Sequence, residues 1–96
     1  MLNQTQRLQM LEQALKDKAP QTYLKLEAEG KLQAFLKKRE GEIMESYYRA
    51  YGEVYYQILQ ENSDKDKTAL ALAMARTQKM NDAIATWAEF TDPEDS

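Results

Sequence analysis

The 96-residue chain contains no cysteine and no histidine. These absences exclude disulfide frameworks, thiol nucleophiles, zinc sites built on these two residues and imidazole acid–base catalysis. Three glycines and two prolines are too few for the many tight turns of an all-β fold. The longest apolar run, Ala69 to Ala75, is far too short to span a bilayer, and the first residues carry no signal-peptide pattern. We therefore predict a cytoplasmic helical protein with no membrane association.

The residues that are present fit one ordinary globular domain. Hydrophobic residues make up 43% of the chain and charged residues 30%, with a formal net charge of −3, so extensive disorder is not expected. The negative charge gives no general attraction for phosphate backbones. We predict a single all-α domain over residues 1–91, followed by an acidic, disordered tail at 92–96.

Two short helices are predicted in the first third of the chain. Apolar residues at spacings of three and four mark the first helix, which Asn3 or Thr5 can cap. Pro20 cannot continue that helix but suits the first position of the next. Gly30 then supplies a left-handed stop.

A long central helix is predicted over residues 31–61, which contain no proline. At about 1.5 Å per residue it measures about 46 Å, whereas a compact chain of this size has a diameter near 32 Å (radius of gyration about 12.5 Å). The helix must therefore bend at Gly41 or extend beyond its own domain. Its apolar positions form two adjacent stripes: Leu32, Leu36, Arg39, Ile43, Tyr47, Ala50, Val54 and Ile58, and then Met44, Tyr48, Tyr51, Tyr55 and Leu59.

The last helix follows a polar break in which Ser63 and Asp66 have capping-box spacing. Small residues such as Ala69 and Ala73 along this helix allow a neighbouring helix to approach closely. The predicted fold is a small helical bundle: two short N-terminal helices, a long central helix and an antiparallel C-terminal helix.

Tyrosine is concentrated in the second half of the central helix, where five of the six tyrosines lie. Buried phenols need hydrogen-bond partners, and tyrosine is enriched at protein interfaces. Three interpretations stay open: the edge of the intrachain core, a protein–protein interface, and a ligand pocket or nucleic-acid platform. The interface interpretation assigns contacts to Tyr47, Tyr48, Tyr51, Val54, Tyr55, Ile58 and Leu59.

A short basic segment precedes the tyrosines. Lys37, Lys38 and Arg39 are consecutive, and Lys31 lies two turns earlier. A solvated face is the simpler interpretation, and a contact for an acidic partner or a nucleic acid is the alternative.

No catalytic or cofactor motif is present. A calcium loop beginning at Asp64 fails because Ala69 and Ala75 stand where glycine and glutamate are needed. No nucleophile–base pair, metal site or phosphate-binding loop is recognisable. We therefore predict no enzymatic activity and no cofactor. The predicted function is a non-enzymatic interaction module (an adaptor, regulator or inhibitor of another protein) that forms a helical homodimer. The alternative is a nucleic-acid-associated accessory protein that uses the basic segment Lys31–Arg39.

Several scattered motifs resemble the small transposon-encoded TnpV family. They are Leu15-Lys16, Pro20, Tyr23, Gly30-Lys31-Leu32, Met80-Asn81 and Ala88-Glu89. The resemblance implies short helices and an origin in a mobile element, but no defined activity.

Overall fold

The computed structural model describes residues 2–93, and 84% of the structure is helical. No strand occurs among these residues, which confirms the predicted all-α fold with its long central helix and antiparallel C-terminal helix. None of the described helices has both the length and the apolar character required to cross a membrane. The helices are α1 (Gln4–Lys18), α2 (Pro20–Ala28), α3 (Leu32–Glu61) and α4 (Lys65–Trp87).

Most helix ends lie where local chemistry predicts them. Asn3 caps α1 and forms a reciprocal capping box with Gln6. Pro20 is the first residue of α2, and Gly30 adopts a φ of 70°, which L-residues with a Cβ rarely adopt. The predicted capping box at Ser63 is wrong, because the Asp64 side chain accepts the hydrogen bonds from the first turn of α4.

Helix α3 continues through Gly41 without a break. Its 30 residues correspond to about 45 Å of helix. The molecule measures 56 × 28 × 18 Å, with a radius of gyration of 16.9 Å against about 12.5 Å for a compact chain of this length. The sequence left two alternatives, a bend at Gly41 or a helix that extends beyond its own domain. The structure has the second.

The hydrophobic core lies at one end of the α3–α4 hairpin, where α1 and the residues that follow α4 pack against it. We call this end, built on residues 32–47 of α3 and 75–87 of α4, the basal half. No residue from 48 to 74 is buried, and we call this segment the distal hairpin. The core consists of Leu11, Leu15, Ala19, Leu32, Leu36, Ile43, Tyr47, Met80, Ala83, Ala88 and Phe90.

The end of the described chain is docked rather than free. The Asp92 carboxylate accepts hydrogen bonds from the backbone N–H of Thr22 (2.8 Å), the Thr22 hydroxyl (2.8 Å) and the backbone N–H of Gln21 (3.2 Å). It therefore caps the first turn of α2, which has no cap from its own flanking residue. The prediction of a disordered tail over 92–96 is therefore wrong for Asp92. Residues 94–96 lie outside the described residues.

Candidate interaction surface

The distal hairpin exposes large apolar side chains on both of its helices. On α3, Tyr48 is 62% exposed, Tyr56 70% and Leu59 41%. On α4, Leu70 is 62% exposed and Met74 64%. All five side chains lie within this segment, and exposed apolar surface that is concentrated in one region of a small domain typically marks a contact site.

This surface is uncovered because α1 is only half as long as α3. The 15 residues of α1 and the 30 residues of α3 correspond to about 22 and 45 Å. Arg7, in the first turns of α1, pairs with Glu40 in the first third of α3. The chain preceding α1 and its first turn lie against the middle of α4, where Leu2 and Gln6 share a groove with Met80. Among residues 2–93, α4 is the only helix that packs against α3 beyond this level.

The second apolar stripe of α3 shows where the part of the hairpin covered by α1 ends. Met44 packs against the core cluster, whereas Tyr48, one turn later, is exposed. Tyr51 stacks on the buried Tyr47, with ring centroids 5.8 Å apart and planes 13° apart. Tyr55 continues the series at 5.9 Å from Tyr51. The aromatic row therefore begins in the core and passes into solvent.

The seven residues predicted to form the interface fall into three groups. Tyr47 is only 2% exposed, so its assignment to a surface is wrong: it belongs to the core, and burial, together with the neighbouring Tyr51, raises the pKa of its phenol. Tyr48 and Leu59 are exposed. The other four are half-buried: Tyr51, Val54, Tyr55 and Ile58.

Helix α4 contributes small residues to the same side of the hairpin. Ala73 and Thr77 line the groove shared with Leu2 and Gln6, whose volume is about 580 Å³. Ala69 lies one turn before Ala73 and is exposed. Small side chains at successive turns allow another helix to approach this part of α4 closely.

The basic segment does not form a single patch. Arg39 is half-buried, donates a hydrogen bond to the backbone oxygen of Trp87 (3.0 Å) and lies over the rings of Phe35, Trp87 and Phe90. Its guanidinium closes the end of α4, where cations interact favourably with the free carbonyl groups. Arg39 is therefore not free to contact an acidic partner as predicted.

The lysines of that segment remain on the surface. Lys31 pairs with Glu29 at 3.3 Å, in an exposed ion pair of the kind that contributes little stability. Lys37 and Lys38 are exposed, and neither takes part in an ion pair within residues 2–93.

The sequence interpretation missed a buried ion pair. Arg7 contacts one carboxylate oxygen of Glu40 through Nε (2.8 Å) and Nη2 (2.7 Å), and a third nitrogen donates to the backbone oxygen of Leu2. Both charged side chains are more than nine-tenths buried. The available signal was the spacing of Glu40, four residues after Leu36 and three before Ile43.

Residues 2–93 contain no group of three or more carboxylate, histidine or cysteine side chains that could hold a metal ion.

Comparison of the chain with models of known protein families, with curated protein sequences and with solved structures finds no match.

Proposed function

We propose that this protein is a non-enzymatic interaction module that acts as a homodimer through its distal hairpin. An adaptor, a regulator or an inhibitor of another protein would all use such a module. One observation supports the proposal above the others: the distal hairpin contains no buried residue, and the five exposed large apolar side chains of α3 and α4 all lie in it.

The apolar side chains of the distal hairpin are incompletely buried in the single chain. A pair of helices gains its stability from packing apolar faces, and an uncovered apolar face gains more when a partner removes it from water. Tyrosine is suited to such a contact because it buries a large ring with few rotatable bonds. A closed two-fold dimer is the commonest way to cover a surface of this type.

The nucleic-acid alternative receives less support from the side-chain contacts. Of its four cations, Arg39 is engaged by Trp87. The three lysines stay on the surface, which is few for phosphate binding by a chain of net charge −3. A mobile-element origin, drawn from the TnpV resemblance, and a cytoplasmic location remain proposals that accompany this function.

Sedimentation at micromolar concentration tests the homodimer. We expect a species of twice the 11.2 kDa chain mass. The double variant Tyr48→Glu/Leu59→Glu should sediment as a folded monomer, because both side chains are exposed in the single chain and new carboxylates resist desolvation in an interface.

A matched control adds the same charge elsewhere. Leu24→Glu/Gln33→Glu changes two exposed residues away from the distal hairpin, and it should leave the dimer intact. A wild-type protein that sediments as a monomer contradicts the proposal. A dimer that survives the distal double variant but not the control places the interface elsewhere.

A further inference from the structure

We propose that the second copy lies antiparallel on the distal hairpin, with the two-fold axis passing near Tyr55 and Ala71. This arrangement rests on the homodimer proposed above and specifies its geometry. Four features of the structure support it: the position of α1, the level of the residues along the hairpin, the composition of the open face and the placement of two unpaired charges.

The position of α1 excludes a parallel alignment. Helix α1 and the residues preceding it cover the basal half of one face, up to the groove lined by Leu2, Gln6 and Met80. If two copies met face to face with their basal ends together, the two α1 helices would collide. Turning one copy end for end places each hairpin tip next to the start of the other α1, and the two open surfaces then overlap along the distal hairpin.

The level of each residue follows from the antiparallel α3–α4 pair. The side chain of Arg39 reaches the backbone of Trp87, and the helices are joined at residues 62–64. Because both helices rise equally per residue, Tyr55 lies beside Ala71, midway along the distal hairpin. A two-fold axis at this level brings Tyr55 next to its own copy and Tyr51 next to Leu59 of the second chain.

The open face has the composition of an interface centre. Steps of three and four residues put Tyr48, Tyr51, Tyr55 and Leu59 on one side of α3. None of these side chains is charged, and charged residues are depleted at interface centres. On α4 the small side chains of Ala69 and Ala73 give room for a facing helix to approach.

Two opposite charges at the edge of this face, Asp66 and Arg76, would meet across the interface if the two chains were related by this axis. Asp66, Ala69, Ala73 and Arg76 follow one another at steps of three, four and three residues, and Arg76 lines the groove with Ala73. Neither Asp66 nor Arg76 joins an ion pair within residues 2–93. They lie equally far from Ala71 on opposite sides, so the axis places Asp66 of each chain opposite Arg76 of the other.

Cross-linking tests the register directly, because the chain has no cysteine of its own. With a short bismaleimide reagent, Tyr55→Cys should link to itself, and a mixture of Tyr51→Cys with Leu59→Cys chains should give a heterotypic link. Tyr48→Cys, seven residues from the axis, is the control and should not link to itself, since about 21 Å of helix separates the two positions.

Charge exchange supplies a second, independent measurement. Arg76→Asp should raise the dimer dissociation constant at least about tenfold through two like-charge contacts, and the exchange Asp66→Arg/Arg76→Asp should restore most of the affinity. The control Arg49→Asp makes the same change at an exposed cation already paired with Glu45, and it should have little effect.

The outcomes separate this proposal from the previous one. A dimer that is sensitive to Tyr48→Glu/Leu59→Glu but shows no Tyr55→Cys link and no charge rescue overturns the antiparallel geometry and leaves the interaction surface standing. Self-linking by Tyr48→Cys as efficient as by Tyr55→Cys also overturns it. A wild-type monomer overturns both proposals.

Discussion

Replacing Glu40 with leucine should destabilise the fold severely, because it leaves the Arg7 guanidinium buried without its counter-ion. The two side chains are only 9% and 8% exposed, and two guanidinium nitrogens lie within 2.8 Å of one carboxylate oxygen. Removing one partner of a buried ion pair costs about 3–5 kcal/mol. Arg7 keeps its hydrogen bond to the backbone oxygen of Leu2, so we expect the lower end of this range, about 3 kcal/mol.

The assay is thermal and urea unfolding of four proteins at one fixed concentration, since the stability of an oligomer depends on concentration. They are the wild type, Arg7→Met, Glu40→Leu and the double variant. For a chain of this size, 3 kcal/mol corresponds to a fall in Tm of about 12–24 °C. The double variant replaces both charges with apolar groups of similar volume, and we expect its free energy of unfolding to return to within about 1 kcal/mol of the wild type.

Two results would refute this reasoning. A loss below about 1 kcal/mol for Glu40→Leu would mean that the pair is solvated and behaves like a surface ion pair. A double variant as unstable as Glu40→Leu would mean that the cost arises from altered packing rather than from an uncompensated charge.

Further predictions concern the glycines and the docked aspartate. Gly41→Ala and Gly52→Ala should each raise the free energy of unfolding by about 0.5–1 kcal/mol in urea titrations, because both lie inside α3 and an added Cβ meets no atom within 4 Å. Gly30→Ala should lower the free energy of unfolding, because the φ of Gly30 is 70°. Burial alone would raise the pKa of Asp92, but the hydrogen bonds from Thr22 and the neighbouring backbone outweigh it and hold the pKa below 3.8. Its stabilising contribution is therefore present above the ordinary pKa of an aspartate and is lost as the pH falls through the lowered folded-state pKa. Asp92→Asn should consequently have a lower Tm than the wild type at neutral pH and an equal Tm in strong acid.

The sequence alone determined the features that arise from local sterics and periodicity. Proline lacks an N–H and restricts the preceding residue, so α1 had to end before Pro20. Glycine tolerates positive φ, so Gly30 was a natural stop for α2. Steps of three and four without a proline predicted a helix over residues 31–61, and the structure has it at Leu32–Glu61. The length of this helix already implied either a bend at Gly41 or a helix that extends beyond its domain.

Only the tertiary structure decided which residues those elements bury. Arg39 and Glu40 both keep a three- or four-residue step from Leu36 and to Ile43, so periodicity cannot choose between them. The choice depends on Arg7, which lies 33 residues before Glu40 and compensates the buried carboxylate. Asp92 likewise docks on α2 across 70 residues. Such partners meet through packing, and hydrophobic patterning within one helix contains no information about them.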